Sequence, residues 1–395
     1  MSAARRAALV AAIVFSAGPA CVVRAQVYLR GRADPLSANV EAVGKDGVVV
    51  RGDKNGSGGA GVGGADPSGP AIVSWDLVRR VDGPHADDAK PFAAMADHLW
   101  RARTRLERGD IDQAEPLFEE LARQFAGADG PTASVVFDGL CRCRVARGAQ
   151  GAAVAAALDW LQARKSVWSS PGSPAWIGGQ VHAASVLDES SGLIPSLPPV
   201  YAGDGAGGAS LGVAALMDDQ SRWTEPSVGD LAMLYRAAAR FEAGLDPELR
   251  DLRSSAPGVR LVRDIVVARA GNQVQREESR KRLGEKLRDQ DAEPWVQAWC
   301  RFGIGRSLLR EDDADRKRDG LVQMLYVPAC LAPVSPYLAG VAVGEAALWS
   351  NRMGDEKGAH ALKVELGRAF PWHPANSWPG VIDIKEPKPD AKVTP

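Results

Sequence analysis

Gly109-Asp110-Ile111-Asp112-Gln113-Ala114 is the stretch on which the reading of this chain turns. A glycine, a small or acidic residue, three variable positions and an alanine follow one another. The pattern returns as Gly148-Ala149-Gln150-Gly151-Ala152-Ala153 and as Gly354-Asp355-Glu356-Lys357-Gly358-Ala359. Each copy lies between two stretches with helical apolar periodicity. Glycine can adopt the left-handed backbone that ends a helix, and alanine lets the next helix come close. Repeated helix–turn–helix units build surfaces by default, not catalytic sites.

Outward from the first copy, Met95, Leu99, Ala102 and Leu106 recur at three and four, as do Ala114, Leu117, Phe118, Leu121 and Phe125. Gly130-Pro131 breaks the run. Val136, Leu140, Cys141 and Val145 mark a third helix, and Ala153, Ala157, Leu158 and Leu161 a fourth. Ser173-Pro174 to Leu187 reads as one helix, and Ser191 to Ser227 as a Pro/Gly-rich irregular segment. Helical patterning resumes with Leu231, Leu234, Ala238 and Phe241, then Val259–Ala270, Gln273–Leu287, an aromatic helix from Trp295 to Leu308, and Leu321–Leu331. The prolines after Asn376 predict an extended or disordered tail.

Upstream of the helices, Val27–Leu29, Val40–Val43, Val48–Arg51, Ala71–Trp75 and Val78–Val81 are short β-rich runs. Lys45-Asp46-Gly47 supplies a hairpin turn, and the stretch from Asn55 to Pro70 reads as a loop of Gly, Ser, Ala, Asp and Pro.

These residues carry two family resemblances. The helical part resembles tetratricopeptide repeats. The first copy supplies Ala102, Gly109, Asp110, Ala114, Phe118 and Leu121; the second Leu140, Cys141, Gly148 and Ala153; the last Ala347, Gly354, Asp355, Ala359, Leu366 and Pro371. It departs from the family at Arg105, where an aromatic is usual, and in spacing: the first two turn glycines lie about 39 residues apart, against about 34. The resemblance implies close helix packing at Ala102, Ala114, Cys141, Ala153, Ala347 and Ala359. The β-rich part resembles small SH3-like or Sm-like barrels. The expected fold class is mainly α, a TPR-like α-solenoid of helix pairs preceded by a small β-barrel-like domain. The expected divisions are a signal peptide (1–25), the β domain (26–83), helical repeats (92–170), a helix plus Pro/Gly-rich loop (171–227), further repeats (228–375) and the tail (376–395).

The first residues have the three-part layout of a secretory leader: Arg5-Arg6, an apolar core from Ala7 to Phe15, and Val23-Arg24-Ala25 before the cleavage point. Cys21 raises lipidation as an alternative, and Arg5-Arg6 the twin-arginine route. No later run is long and apolar enough to span a bilayer. The formal net charge of −1 argues against a nucleic-acid partner. After cleavage Cys141, Cys143, Cys300 and Cys330 remain, too few for a disulfide scaffold. They read as buried helix residues, with a Cys300–Cys330 bridge as the alternative.

Chemistry-bearing motifs are missing. Gly203–Gly208 and Gly59–Gly64 match the G-x-G-x-x-G spacing, but neither sits between a strand and a helix. The five histidines are scattered, and no HExxH or G-x-S-x-G occurs. Glu311-Asp312-Asp313 alternates with Arg and Lys and reads as a solvated turn. No cofactor or metal is expected. The apolar Leu193-Ile194-Pro195-Ser196-Leu197-Pro198-Pro199-Val200-Tyr201 should not sit naked in water; Leu193, Ile194, Leu197 and Tyr201 form a candidate strap along the groove.

The functional expectation is an exported, periplasmic or envelope scaffold that binds a protein or peptide segment on a concave helical surface, without catalysis. Two rivals stand beside it. One is an envelope hydrolase with a cleft between the β unit and the helices. The other is a cell-wall or carbohydrate binder using exposed Trp faces.

Overall fold

The computed structural model describes residues 25–36, 38–52, 69–164, 175–178 and 207–387, with side chains from Gly212 onward in the last segment. The expected leader up to Arg24, the loop around Asn55–Gly64, the Leu193–Tyr201 strap and the last eight residues lie outside them.

The N-terminal strands are β1 (Gln26–Leu29), β2 (Ala38–Gly44), β3 (Gly47–Gly52), β4 (Pro70–Val73) and β5 (Val78–Asp82). β2, β3 and β4 form an antiparallel ladder, while β1 pairs antiparallel with β5. Valines alternate inward along them: Val27, Val48, Val50, Val73, Val78 and Val81 share one core with Trp75. Gly47 opens β3 at φ +146, against Ile72 and Val73, where no side chain would fit. A sixth strand, β6 (Ala175–Ile177), pairs parallel with β4. The expected Ser173–Leu187 helix is therefore wrong at its start. A strand partner distant in sequence sets the conformation of Ala175–Ile177, which local periodicity could not show.

The β unit continues into a short helix, α1 (Ala86–Ala89), and is bonded to the helices that follow. These are α2 (Ala93–Glu107), α3 (Ile111–Gln124), α4 (Pro131–Ala146) and α5 (Gln150–Ala163). At the start of α4, the Thr132 hydroxyl donates to the Asp46 carbonyl (2.7 Å) and accepts the Trp75 amide (3.2 Å). Arg103 on α2 pairs with the buried Asp76, and Lys45 donates to the Gln124 carbonyl while lying over the Phe125 ring. The seam between sheet and helices is thus packed and hydrogen-bonded.

After α6 (Gly207–Leu216) come α7 (Pro226–Glu242), α8 (Pro257–Ala270), α9 (Gln273–Arg288), α10 (Pro294–Leu308), α11 (Ala314–Tyr326), α12 (Pro336–Arg352) and α13 (Glu356–Ala369). From α2 to α5, and again from α6 to α13, each helix packs on the next; α5 also packs on α6 and α7. One continuous core runs from Leu99 to Val381. Prolines begin α4, α7, α8, α10 and α12, where a missing amide costs nothing. Five residues from Val327 to Leu331 form a π-helical turn after α11.

The three turn glycines share one geometry. Gly109, Gly148 and Gly354 take φ +79, +78 and +82. The next residue's amide then donates five positions back, Asp110 to Arg105 (3.0 Å), Ala149 to Arg144 (2.8 Å) and Asp355 to Ser350 (2.9 Å). This closes the carbonyls that each helix end leaves open. A fourth turn, unrecognised in the sequence, does the same: Gly244 has φ +78 and Leu245 donates to Arg240 (2.9 Å). There the chain runs on as an irregular segment until α8, so no alanine follows to complete the pattern.

The predicted tail is not extended at its start. Pro374–Ser377 and α14 (Pro379–Ile382) are short helical turns, and Val381 and Ile384 are buried. Lys363 Nζ holds the carbonyls of Ile382 and Ile384, each at 2.7 Å. Cys141, Cys143, Cys300 and Cys330 are all free, so the Cys300–Cys330 bridge does not form: Cys300 is inside the core and Cys330 exposed. Burial pushes the thiols of Cys141, Cys143 and Cys300 up to about 12, which makes them inert.

Candidate functional site

Helix α4 packs against both α3 and α5, and the gap left over its middle is a cleft of about 450 Å³. Phe137 and Leu140 of α4 form its apolar floor, and small residues keep its walls apart: Ala122 and Ala126 on one side, Ala155 and Ala156 on the other. Leu216, the last residue of α6, and Arg222 line it as well.

Charge is arranged around this floor in a fixed way. Arg144 reaches from α4 to both walls, donating to Glu119 Oε1 on α3 (3.1 Å) and to the Ala152 carbonyl on α5 (2.9 Å). Behind it, Glu115 accepts two bonds from Arg147 (2.6 and 2.8 Å), and the Arg147 guanidinium holds its carboxyl below the usual carboxylate range. On the α5 wall, Asp159 Oδ1 accepts the Trp223 indole N–H (2.9 Å) and faces Arg222 Nε (3.2 Å). Burial pushes Asp159 up to about 6, with Arg222 opposing it.

The segment from Asp218 to Glu225 is tied to α5. Gln162 donates to Thr224 Oγ1 and accepts the Glu225 amide, both at 3.1 Å. Arg222 stacks on the Trp223 ring at 4.2 Å and donates to the Leu216 carbonyl at 3.1 Å. The cleft is preorganised by its own polar contacts, with an apolar floor and both signs of charge on its rim.

The residues singled out from sequence lie in the buried cores of the helix pairs and at their turns, not in the cleft lining. Ala102, Ala114, Cys141 and Ala153 are buried in the main core; Ala347 and Ala359 are buried together with Ile384. Gly109, Gly148 and Gly354 are the turn residues described above. Leu193, Ile194, Leu197 and Tyr201 lie outside the described residues. The cleft's charged groups, Glu119, Arg123, Arg144, Asp159 and Arg222, were not picked out. The available signal was the one-turn spacing of Glu115 with Glu119 on α3 and of Arg144 with Arg147 at the end of α4.

Among the described residues no group of three or more His, Cys, Asp or Glu is placed to hold a metal ion, and no helix is long and apolar enough to cross a membrane. No protein-family model matches the chain, and no curated protein or solved structure matches it either.

Proposed function

We propose that this chain is an exported interaction scaffold that binds a segment of another protein in the cleft between α3 and α5. In this reading the helix pairs are a TPR-like solenoid and the β unit an SH3-like appendage. The observation that carries the reading is the cleft itself: an apolar floor of Phe137 and Leu140 with rim charges already held by neighbours. The recurrent left-handed turns support the repeat assignment, because one geometry serves four helix ends.

The hydrolase rival draws on one observation, the raised carboxyl of Asp159 in a cleft. That carboxyl is engaged by Trp223 and Arg222, which gives it a structural role and leaves the scaffold reading ahead. The carbohydrate rival needs a platform of exposed Trp, whereas Trp100 on α2 and Trp372 after α13, the two most exposed described tryptophans, come from elements far apart in the chain.

The test is selection of twelve-residue peptides from a random library on the purified chain, followed by titration against Ala156→Trp. Ala156 is buried at the cleft wall, and the indole would fill the space. Peptides that bind the parent and lose at least about tenfold, about 1.4 kcal/mol, against the variant support the reading. Peptides that bind both equally, or no selectable peptide at all, overturn it.

A further inference from the structure

The β4 edge is filled by a strand that does not belong to the contiguous β unit. Strands β1 to β5 lie between Gln26 and Asp82, yet β6 is Ala175–Ile177 and enters from beyond the five helices α1 to α5. It runs parallel to β4, with Ala175 opposite Ala71, Trp176 opposite Ile72 and Ile177 opposite Val73. Every other pairing in the β unit is antiparallel. A parallel neighbour requires a long crossover, and here the helices α1 to α5 lie within it, so β6 reaches the β4 edge from a part of the chain remote from the other strands.

The fit is that of a peptide in a binding site. Ile177 is buried in the β core beside Val73, and Ala175 packs partly against the same cluster. Trp176, on the alternate face, sits half-buried across from Ile72. The Ser74 amide donates to the Ile177 carbonyl at 2.9 Å, extending the ladder beyond β4. The chain then leaves through Gly178 at φ +83. A Cβ there would stand 2.7 Å from Leu77 Cδ1 and 3.2 Å from Ser74 Cβ, so only glycine makes this exit. Three residues are a short strand, and main-chain pairing of that length is held largely by the tether to the rest of the chain.

We infer that the β4 edge is a strand-accepting site, occupied in cis by Ala175–Ile177, whose fitting partner is an extended segment with the order small, aromatic, β-branched, glycine, running parallel to β4. Main-chain bonds supply the pairing, and the apolar core around Val73, in which Ile177 is buried, selects the β-branched residue. This site is separate from the α3–α5 cleft and stands whether or not that cleft binds a partner.

The experiment uses the full chain carrying Ile177→Asp, which expels β6 by burying a charge, and a labelled synthetic peptide spanning residues 173–179 as probe. The peptide is expected to bind the variant on the order of tenfold more tightly than the parent, whose edge is filled. It should also shift the Ser74 amide resonance, and a peptide with the same Ile replaced by Asp should not bind. Equal binding to parent and variant, or none to a folded variant, overturns the inference. Should the variant not fold, protease sites placed before residue 170 and after residue 182 of the parent give the second test. A cut segment that stays bound and exchanges with labelled peptide supports the site. A segment that departs without the peptide taking its place overturns it.

Discussion

The helices around the α3–α5 cleft and those from α7 to α13 use charge in opposite ways. Near the cleft, Arg144 and Arg147 span neighbouring helices from positions with access to water, and they hold Glu115 and Glu119 at a rim. Between α7 and α12 the same chemistry goes deeper at Arg306 and Glu345, although Arg269 also lines a cavity of about 320 Å³. Arg306 is only 2% exposed and pairs with Glu345 at 2.7 Å and Glu242 at 3.3 Å, while Arg269 pairs with Glu242 at 3.0 Å. One arrangement borders an open cleft, which the proposed function makes the seat of a partner segment. The other joins four helices, α7, α8, α10 and α12, through Glu242, Arg269, Arg306 and Glu345. The difference shows that the same arginine–carboxylate pairing borders a cleft in one region and forms a deeply buried tie in the other.

The sharpest way to break this comparison is to remove one charge from each region. Arg306→Met leaves Glu345, already raised by burial, without its guanidinium in a closed interior. The expected loss is about 3–5 kcal/mol in urea unfolding. Arg144→Met in the cleft region is expected to lose about 1.5–3 kcal/mol, because water can replace part of what is lost. Equal losses would show that the two networks do the same job.

A second contrast concerns lone carboxyls. Asp138, on α4, is buried with only Arg142 at 3.7 Å, and burial pushes it up to about 7. Its folded pKa lies above the ordinary value of 3.8, so the folded chain binds the extra proton between about pH 4 and 7. This contribution is intact below pH 4 and fades as pH rises through 7. Asp159, at about 6, acts in the same direction. The parent is therefore expected to lose on the order of 3 kcal/mol between pH 5 and 7.5, and Asp138→Asn to lose clearly less. Parallel stability curves for parent and variant would reject the assignment.

What could be read beforehand follows the range of the forces involved. The turns at Gly109, Gly148 and Gly354 depend on backbone within six residues, so the residues themselves announced them. Helices α8 to α10 were legible because apolar residues recur at three and four, as in Val259, Val262 and Val266, Leu283 and Leu287, and Trp295, Trp299 and Phe302. β6 was misread, because Ala175–Ile177 takes its conformation from Ile72 and Val73, about a hundred positions earlier. The buried tie of Glu242, Arg306 and Glu345 joins three separate helices, and no spacing along the chain predicts it. The cleft was invisible for the same reason: its existence depends on α3 and α5 being held apart across α4. Gly139 shows how closely α3 and α4 themselves approach, for a Cβ there would run into the Phe118 ring. Gly139→Ala is expected to cost about 1–3 kcal/mol by overpacking. It should also disturb the cleft floor, read as weakened binding of any peptide selected on the parent.

The smallest effect sharpens the comparison most. Gly109 and Gly148 have nearly the same left-handed backbone, but their surroundings differ. A Cβ on Gly109 meets nothing within 4 Å, whereas one on Gly148 stands 3.2 Å from Pro374 Cγ. Pro374 follows α13, so the end of the helical array comes back against the α4–α5 turn. Gly109→Ala carries only the strain of a left-handed alanine, about 1 kcal/mol. Gly148→Ala carries the same strain and must also move Pro374, so it is expected to cost measurably more. The difference between the two losses, read in urea unfolding, isolates the contact that joins the cleft region to the closed region. A deletion of residues 371–395 should erase that difference while leaving the Gly109→Ala loss unchanged. If the two alanines cost the same in the full chain, the two regions meet only through the continuous helical core, and the returning C-terminal segment contributes nothing to their alignment.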